Sequence, residues 1–285
     1  MTPELMAAGA KALAEHRSKT GSVIVGEEVY FGQGVALYVD EITVSFDGFR
    51  ALNKLSLTID VGELRCIIGP NGAGKTTMMD IITGKTRPDS GKVFFGSNID
   101  LLRLSEPQIA QAGVGRKFQK PTVYEQLSVF ENLELALKAD RRVRAALFHR
   151  LNGEQMDRIG EVLALIHLQD QAQRTAGLLS HGQKQWLEIG MLLAQDPKLL
   201  LLDEPVAGMN DVEANEMGAI FRQLVADGMA VLLISADLEE LVGLSDTIRV
   251  ILRGRLSGDF DPDVVTRDQL GAAMTGAAAD EGTLR

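Results

Sequence analysis

Apolar and polar positions alternate with a period of two in the first third of the chain. Leu55, Leu57 and Ile59 are separated by Ser56 and Thr58, which predicts a strand with one buried face. Gly62 turns the chain into Leu64-Arg65-Cys66-Ile67-Ile68, whose last residues read as a buried parallel strand. An amphipathic run from Met78 to Thr83 follows and stops at Gly84, a common helix-ending residue. Pro88-Asp89-Ser90-Gly91 is turn chemistry ahead of a strand over Lys92 to Phe95. Between about Leu101 and Leu179 the spacing becomes helical, as in Val129, Leu133, Leu137 and Val162, Leu165, Ile166. From Ser180 strands and helices alternate again: a helix to about Gln195, a strand over Leu199 to Leu202, a helix over Glu213 to Ala226 and a strand over Ala230 to Ile234. Ile248 to Leu252 and Arg255 to Phe260 predict closing strands about Gly254.

No internal repeat is present, so the pattern predicts a single-copy α/β core with one helical insertion. Residues 1–36, Ala-rich and then glycine-spaced, read as a short helix and a loose N-terminal extension. Residues 37–260 form the expected domain, with a helical subdomain at about 101–179, and residues 261–285 read as an aperiodic tail.

Composition narrows the function without naming it. A net charge of -10 gives no general attraction for polyanions, so no nucleic-acid partner is expected. The single cysteine, Cys66, excludes an internal disulfide framework, fits the cytosol, and reads as a small buried hydrophobe. No apolar run approaches bilayer length, and Met1 to His16 is interrupted by Glu4, Lys11 and Glu15. Lys138, Arg141, Arg142, Arg144 and Arg150 cluster in the helical stretch. A solvated face is the first reading of that cluster, and a surface for anionic lipid or a protein the second.

The candidate chemistry begins at Gly69-Pro70-Asn71-Gly72-Ala73-Gly74-Lys75-Thr76-Thr77, which fills every fixed position of G-x-x-x-x-G-K-[ST] between a strand and a helix. Backbone N–H groups of such a loop converge on phosphate oxygens at the positive end of the helix. Lys75 then reaches the β- and γ-phosphates, and Thr76 offers its hydroxyl to Mg2+. Leu199 to Leu202 run into Asp203-Glu204-Pro205, placing two acids at a strand's carboxyl end, where open α/β sheets bind ligands. Asp203 is the candidate metal ligand, and Glu204 the candidate for polarising an attacking water. Ser180 and Gln183, three apart ahead of Trp186, Ile189 and Leu193, predict a capping box. That helix N-terminus, with Gly182 permitting close approach, also suits a phosphate presented by another subunit.

The loop at 69–76, Leu179-Ser180-His181-Gly182-Gln183, and Leu199 to Asp203 followed by Glu204 together resemble Walker A, signature and Walker B of the ABC ATPases. The resemblance covers about residues 37–260 and implies a RecA-like P-loop core with an antiparallel β subdomain and a helical subdomain. It implies ATP and Mg2+ as cofactors, with Phe46 stacking on adenine and Gln119 linking metal and nucleotide to the helical subdomain. Asn210 falls at the D-loop position. Val44 to Phe49, Glu63 to Ile68, Gly84 to Gly91 and Ser180 to Gly190 are similar to ATP-binding subunits of urea transporters (the UrtD group), within the branched-chain amino acid importer type. The implied partners are a second ATPase subunit (heterodimer or homodimer), two membrane permeases and an extracytoplasmic solute-binding protein. The implied location is the cytoplasmic face of the inner membrane.

One position departs from that pattern. The family places a histidine after the strand that follows Walker B, and Ala236 in Ile234-Ser235-Ala236-Asp237 stands there. The histidines at 16, 149, 167 and 181 are too far away to substitute by a small shift in register. Alanine's side chain has neither donor nor acceptor. ATP binding is expected to survive, because Lys75 and the loop amides remain. Hydrolysis at this site is either slowed or supported by another group such as Ser235; the alternatives to a transport ATPase are a regulatory nucleotide-binding subunit without its own hydrolysis and a non-transport ABC ATPase.

Overall fold

The computed structural model describes residues 28–117, 123–137, 151–235 and 244–276. Gln119, the basic cluster at 138–150 and Ala236 lie outside the described residues. Two sheets organise the rest. The first is antiparallel, in the order β2-β1-β4-β5, from β1 (Val35–Phe46), β2 (Phe49–Asp60), β4 (Ser90–Phe95) and β5 (Ile99–Asp100). Asp47 and Gly48 both have positive φ, 46° and 83°, so an Asp-Gly turn of the hairpin-forming type joins β1 to β2.

The second sheet runs β10-β9-β3-β8-β7-β6, with β3 (Leu64–Ile68), β6 (Val114–Lys117), β7 (Leu199–Asp203), β8 (Ala230–Ile234), β9 (Thr247–Leu252) and β10 (Arg255–Leu256). All its pairs are parallel except β9 with β10. Successive residues of one strand project to opposite faces. Ile67, Leu199, Leu201, Leu232 and Ile234 therefore join one apolar core, with the antiparallel sheet and helices α1 (Lys75–Ile82) and α2 (Glu106–Ala112). Cys66, Ile68, Leu200, Leu202 and Leu233 join the other. Onto that second face pack α3 (Val129–Ala136), α4 (Gly153–Leu165), α5 (His181–Leu193), α6 (Asp211–Ala226) and α7 (Arg267–Thr275).

Three stretches differ from the sequence reading. β6 is a core strand lying inside the stretch whose spacing is helical. It has four residues, Val-Gly-Arg-Lys, and its single apolar side chain is too little to show a period of two. In the C-terminal stretch, α7 begins at a capping box of Thr266 and Gln269, and Leu270 is fully buried against the second core. One apolar anchor in a short helix leaves almost no periodicity to read. Arg255 to Phe260 is strand only at Arg255–Leu256, with Phe260 returning to pair with Ile248 through an isolated bridge.

Candidate nucleotide-binding site

Strand register brings the phosphate loop and the two acids to one edge of the sheet. Ile67 of β3 is level with Ile234 of β8, and Ile234 is level with Asp203 of β7. The loop leaves β3 one residue later, and Asp203 and Glu204 close β7 at the same carboxyl edge. This is where the topology of open α/β sheets leaves a crevice for ligands.

Steric contacts explain the loop's glycines. A Cβ on Gly69 would lie 2.2 Å from the Ile251 carbonyl oxygen, so β9 passes too close for any side chain. Gly74, at φ 110°, precedes α1, and a Cβ there would meet the Ala51 carbonyl oxygen at 2.8 Å. No side chain caps the start of α1, leaving its first amides to an anion. The Lys75 Nζ donates to the carbonyls of Gly69 at 2.5 Å and Pro70 at 3.0 Å, curling the ammonium over the loop. Burial pulls the Lys75 pKa down, while Asp203 and Glu204 act in the opposite direction. Thr76 is exposed, and Asn71 and Gly72 form the open rim. Pro70 and Ala73 complete the loop, which is closed by the Ala73 N–H donating to the Pro70 carbonyl at 3.2 Å, and Thr77 lies half-buried in the first turn of α1. Gly254 donates to the Ala73 carbonyl and accepts from the Asn53 N–H, each at 2.9 Å, docking the loop on β2. Phe46 ends β1 beside the turn that leads into β2, with its ring about half exposed.

Asp203 is buried, and its pKa is raised first by burial and then by Glu204, against the lowering influence of Arg116, Lys75 and Lys117. Glu204 has a left-handed backbone, φ 48°, and its N–H donates to the Ile234 carbonyl at 2.8 Å. A non-glycine residue rarely adopts that conformation, and here a strand-end hydrogen bond holds it.

Beside these acids lies a cavity of about 310 Å³ lined by Lys117, His181, Gln185, Glu188, Asp203, Glu204 and Ala207. His181, Gln185 and Glu188 are four and three residues apart and share one face of α5. The predicted capping box is present: Ser180 Oγ accepts from the Gln183 N–H at 3.2 Å, and Gln183 Oε1 accepts from the Ser180 N–H at 3.1 Å. Leu179 is buried in the second core, whereas Ser180 and His181 are exposed. A Cβ on Gly182 would lie 2.8 Å from a Glu213 carboxylate oxygen, so a side chain there would have to displace the Glu213 carboxylate. Asn210 caps α6, accepting from the Glu213 N–H at 3.0 Å.

Sequence reasoning missed three side chains of this cavity: Lys117, Gln185 and Glu188. The signal available was the helical spacing of the polar residues His181, Gln185 and Glu188 through a segment whose other positions from Trp186 to Leu193 are apolar or glycine.

A family model for the ABC transporter matches residues 52–207, more than half of the chain. The chain belongs to the ABC transporter ATP-binding family. It is 32% identical over 256 residues to a probable branched-chain amino acid transport ATP-binding protein LivG of Archaeoglobus fulgidus, covering 86% of this chain and 97% of the relative. The LivG protein of Escherichia coli is 32% identical over 237 residues, 80% of this chain and 92% of that one. A putative ribose/galactose/methyl galactoside import ATP-binding protein of Burkholderia cenocepacia is 34% identical over 86% of this chain, which matches only 46% of that relative. A crystal structure of an ABC transporter's ATP-binding cassette in its ADP conformation superposes with a TM-score of 0.71 at 27% identity, covering 85% of this chain and 95% of that one. The ABC ATPase is thus of the branched-chain amino acid importer type, with a P-loop α/β fold. Among the described residues no helix is long and apolar enough to cross a membrane.

Proposed function

We propose that this chain is the ATP-binding subunit of an importer for a small polar solute, urea first and branched-chain amino acids or other amides next. The observation that carries the ATP reading is the shared sheet edge: loop, Lys75, Asp203 and Glu204 meet where β3 and β7 end. Four stretches that resemble urea-transporter subunits support urea. The relatives' names support the wider importer type.

ATP would lie on the loop amides with Lys75 at its terminal phosphates and Phe46 against its base. Two hard oxygen donors, the Thr76 hydroxyl and the Asp203 carboxylate, suit Mg2+, and Gln119 is assigned to the same ion. The fit rests on buried Asp203 and its half-buried neighbour Glu204, whose adjacent negative charges a divalent cation would compensate. Bound Mg2+ would neutralise developing charge on the β- and γ-phosphates. Glu204 would orient the attacking water. Leu179 to Gln183 would meet ATP held by a second ATPase subunit, with Asn210 at the contact. Two permeases and an extracytoplasmic binding protein would complete a transporter docked at the cytoplasmic face of the inner membrane. The expected division into an extension (1–36), an ATPase domain (37–260, helical at about 101–179) and a tail (261–285) is revised at both ends: β1 begins at Val35 and α7 packs Leu270 into the second core, so the proposed ATPase domain reaches from β1 to α7. Lys75→Ala should abolish nucleotide binding by the chain and labelled-urea uptake by cells that depend on this route. Unchanged uptake of both urea and branched-chain amino acids would overturn the importer reading.

Ala236 supports a second element of the proposal, that this chain's own site hydrolyses slowly while its partner's site turns over. Loss of one transition-state donor costs on the order of 100-fold in rate. Single-turnover hydrolysis in the assembled complex, with the partner's loop lysine removed, should show that deficit; a normal rate refutes it.

A further inference from the structure

The last two residues of β6 are both cations, and the strand's alternation sends them to opposite faces of the sheet. The Arg116 Nη1 donates to Asp80 of α1 at 2.6 Å and to the Thr83 hydroxyl at 3.1 Å, on the phosphate-loop side. The Lys117 Nζ lies 3.7 Å from Glu188 of α5, on the signature side, and both side chains are 3% exposed. A buried ion pair stabilises little by itself, because desolvation offsets most of its Coulomb attraction. Its position carries more information than its energy. Lys117 is level with Leu202 of β7, one residue before Asp203, and it lines the same cavity as Asp203, Glu204 and Glu188. Three carboxylates and one ammonium therefore face a common space of about 310 Å³. The Gln185 Nε2 closes the wall by donating to the Ala207 carbonyl at 2.8 Å, while its buried Oε1 accepts no hydrogen bond among the described residues.

We propose that Lys117 is a positioning residue of the hydrolytic site: its ammonium holds Glu188 of α5 against Asp203 and Glu204, tying the metal position to the helix offered to the partner. This rests on the reading of Asp203 as a Mg2+ ligand. Before the metal arrives, Lys117 offsets the repulsion among the three acids. When Mg2+ binds Asp203, the field holding Glu188 changes, and α5 registers the occupancy of this chain's own site. His181 stands at the first turn of the same helix face, so the link ends at the surface presented to the second nucleotide.

The sign of the effect makes the inference testable on the full-length chain. The metal increment is the melting temperature with ATP and Mg2+ minus that with ATP and EDTA. Lys117→Met removes one of the cations that offset the three acids, so Mg2+ does more, and the increment should widen by about 2–4 °C. Glu188→Gln removes one acid and should narrow it. Lys117→Met combined with Glu188→Gln restores the wild-type charge, and Lys117→Arg keeps it, so both should return the wild-type increment. A merely structural pair would lower the melting temperature with and without Mg2+ alike. Equal increments in all variants would overturn the inference. If Lys117→Met fails to fold, wild type, Glu188→Gln and the double variant still decide by the same comparison. Absence of any nucleotide shift in the wild-type chain would instead overturn the nucleotide-site reading, and this inference with it.

Discussion

The two faces of the parallel sheet are built from the same strands yet solve different problems. On one, Leu199, Leu201, Leu232 and Ile234 pack against α1, α2 and the antiparallel sheet. On the other, Leu200, Leu202, Val231 and Leu233 pack against α5 and α6. The first supports a nucleotide loop made of one contiguous stretch, Gly69 to Thr77. The second supports a polar cavity assembled from β6, α5 and β7, whose members come from widely separated segments. A binding surface can be carried by local backbone geometry alone, whereas communication between surfaces requires side chains from several elements to meet.

The sharpest way to break this comparison uses two neighbours on β7. Leu200 and Leu201 are the same residue type, both fully buried, and belong to opposite cores. Truncating either to alanine should cost about 2–5 kcal/mol, from lost transfer energy and the cavity left behind. Chemical unfolding should therefore report similar losses. Their functional effects should part. Leu201→Ala loosens the face under α1 and should weaken nucleotide binding by the isolated chain roughly fivefold, about 1 kcal/mol. Leu200→Ala loosens the face under α5 and should leave that affinity near wild type while lowering the complex's ATPase rate. Equal weakening of nucleotide binding by both variants would show that the faces are not mechanically distinct.

The same contrast explains what was legible in the sequence. The phosphate loop could be read because its chemistry is contiguous: the glycines at 69 and 74 answer to strand β9 and to β2, and Lys75 follows at fixed spacing. Asp203 and Glu204 could be read because four leucines announce a buried strand ending in acids. The capping box at Ser180 and Gln183 was legible for the same local reason. Lys117 was not, since a dibasic pair after Val114-Gly115 looks like a solvated strand end. The pairing of β6 beside β7 and the packing of α5 across that face bury it. Leu270 was hidden similarly, because a single anchor has no period. The buried thiol of Cys66, its pKa pushed up to about 12 chiefly by desolvation, agrees with the small-hydrophobe reading.

The smallest expected effect tests whether the second face ends in a cap or in a phosphate contact. Ser180 lies outside the buried core, and its hydroxyl accepts from the Gln183 N–H at 3.2 Å, so its structural value is that of one N-cap. Ser180→Ala should cost about 1 kcal/mol, which for a chain of this size lowers the melting temperature by about 2–4 °C. Alanine alone leaves cap and contact confounded. Ser180→Asp separates them, because a carboxylate caps as well as a hydroxyl and suits the positive end of α5. The aspartate variant should melt at or above the wild-type temperature. In the assembled complex it should nonetheless depress ATPase activity more than alanine does, because its charge would stand where the partner's terminal phosphate approaches. If Ser180→Asp keeps both stability and full complex activity, the N-terminus of α5 is a capped helix end and takes no part in the second site.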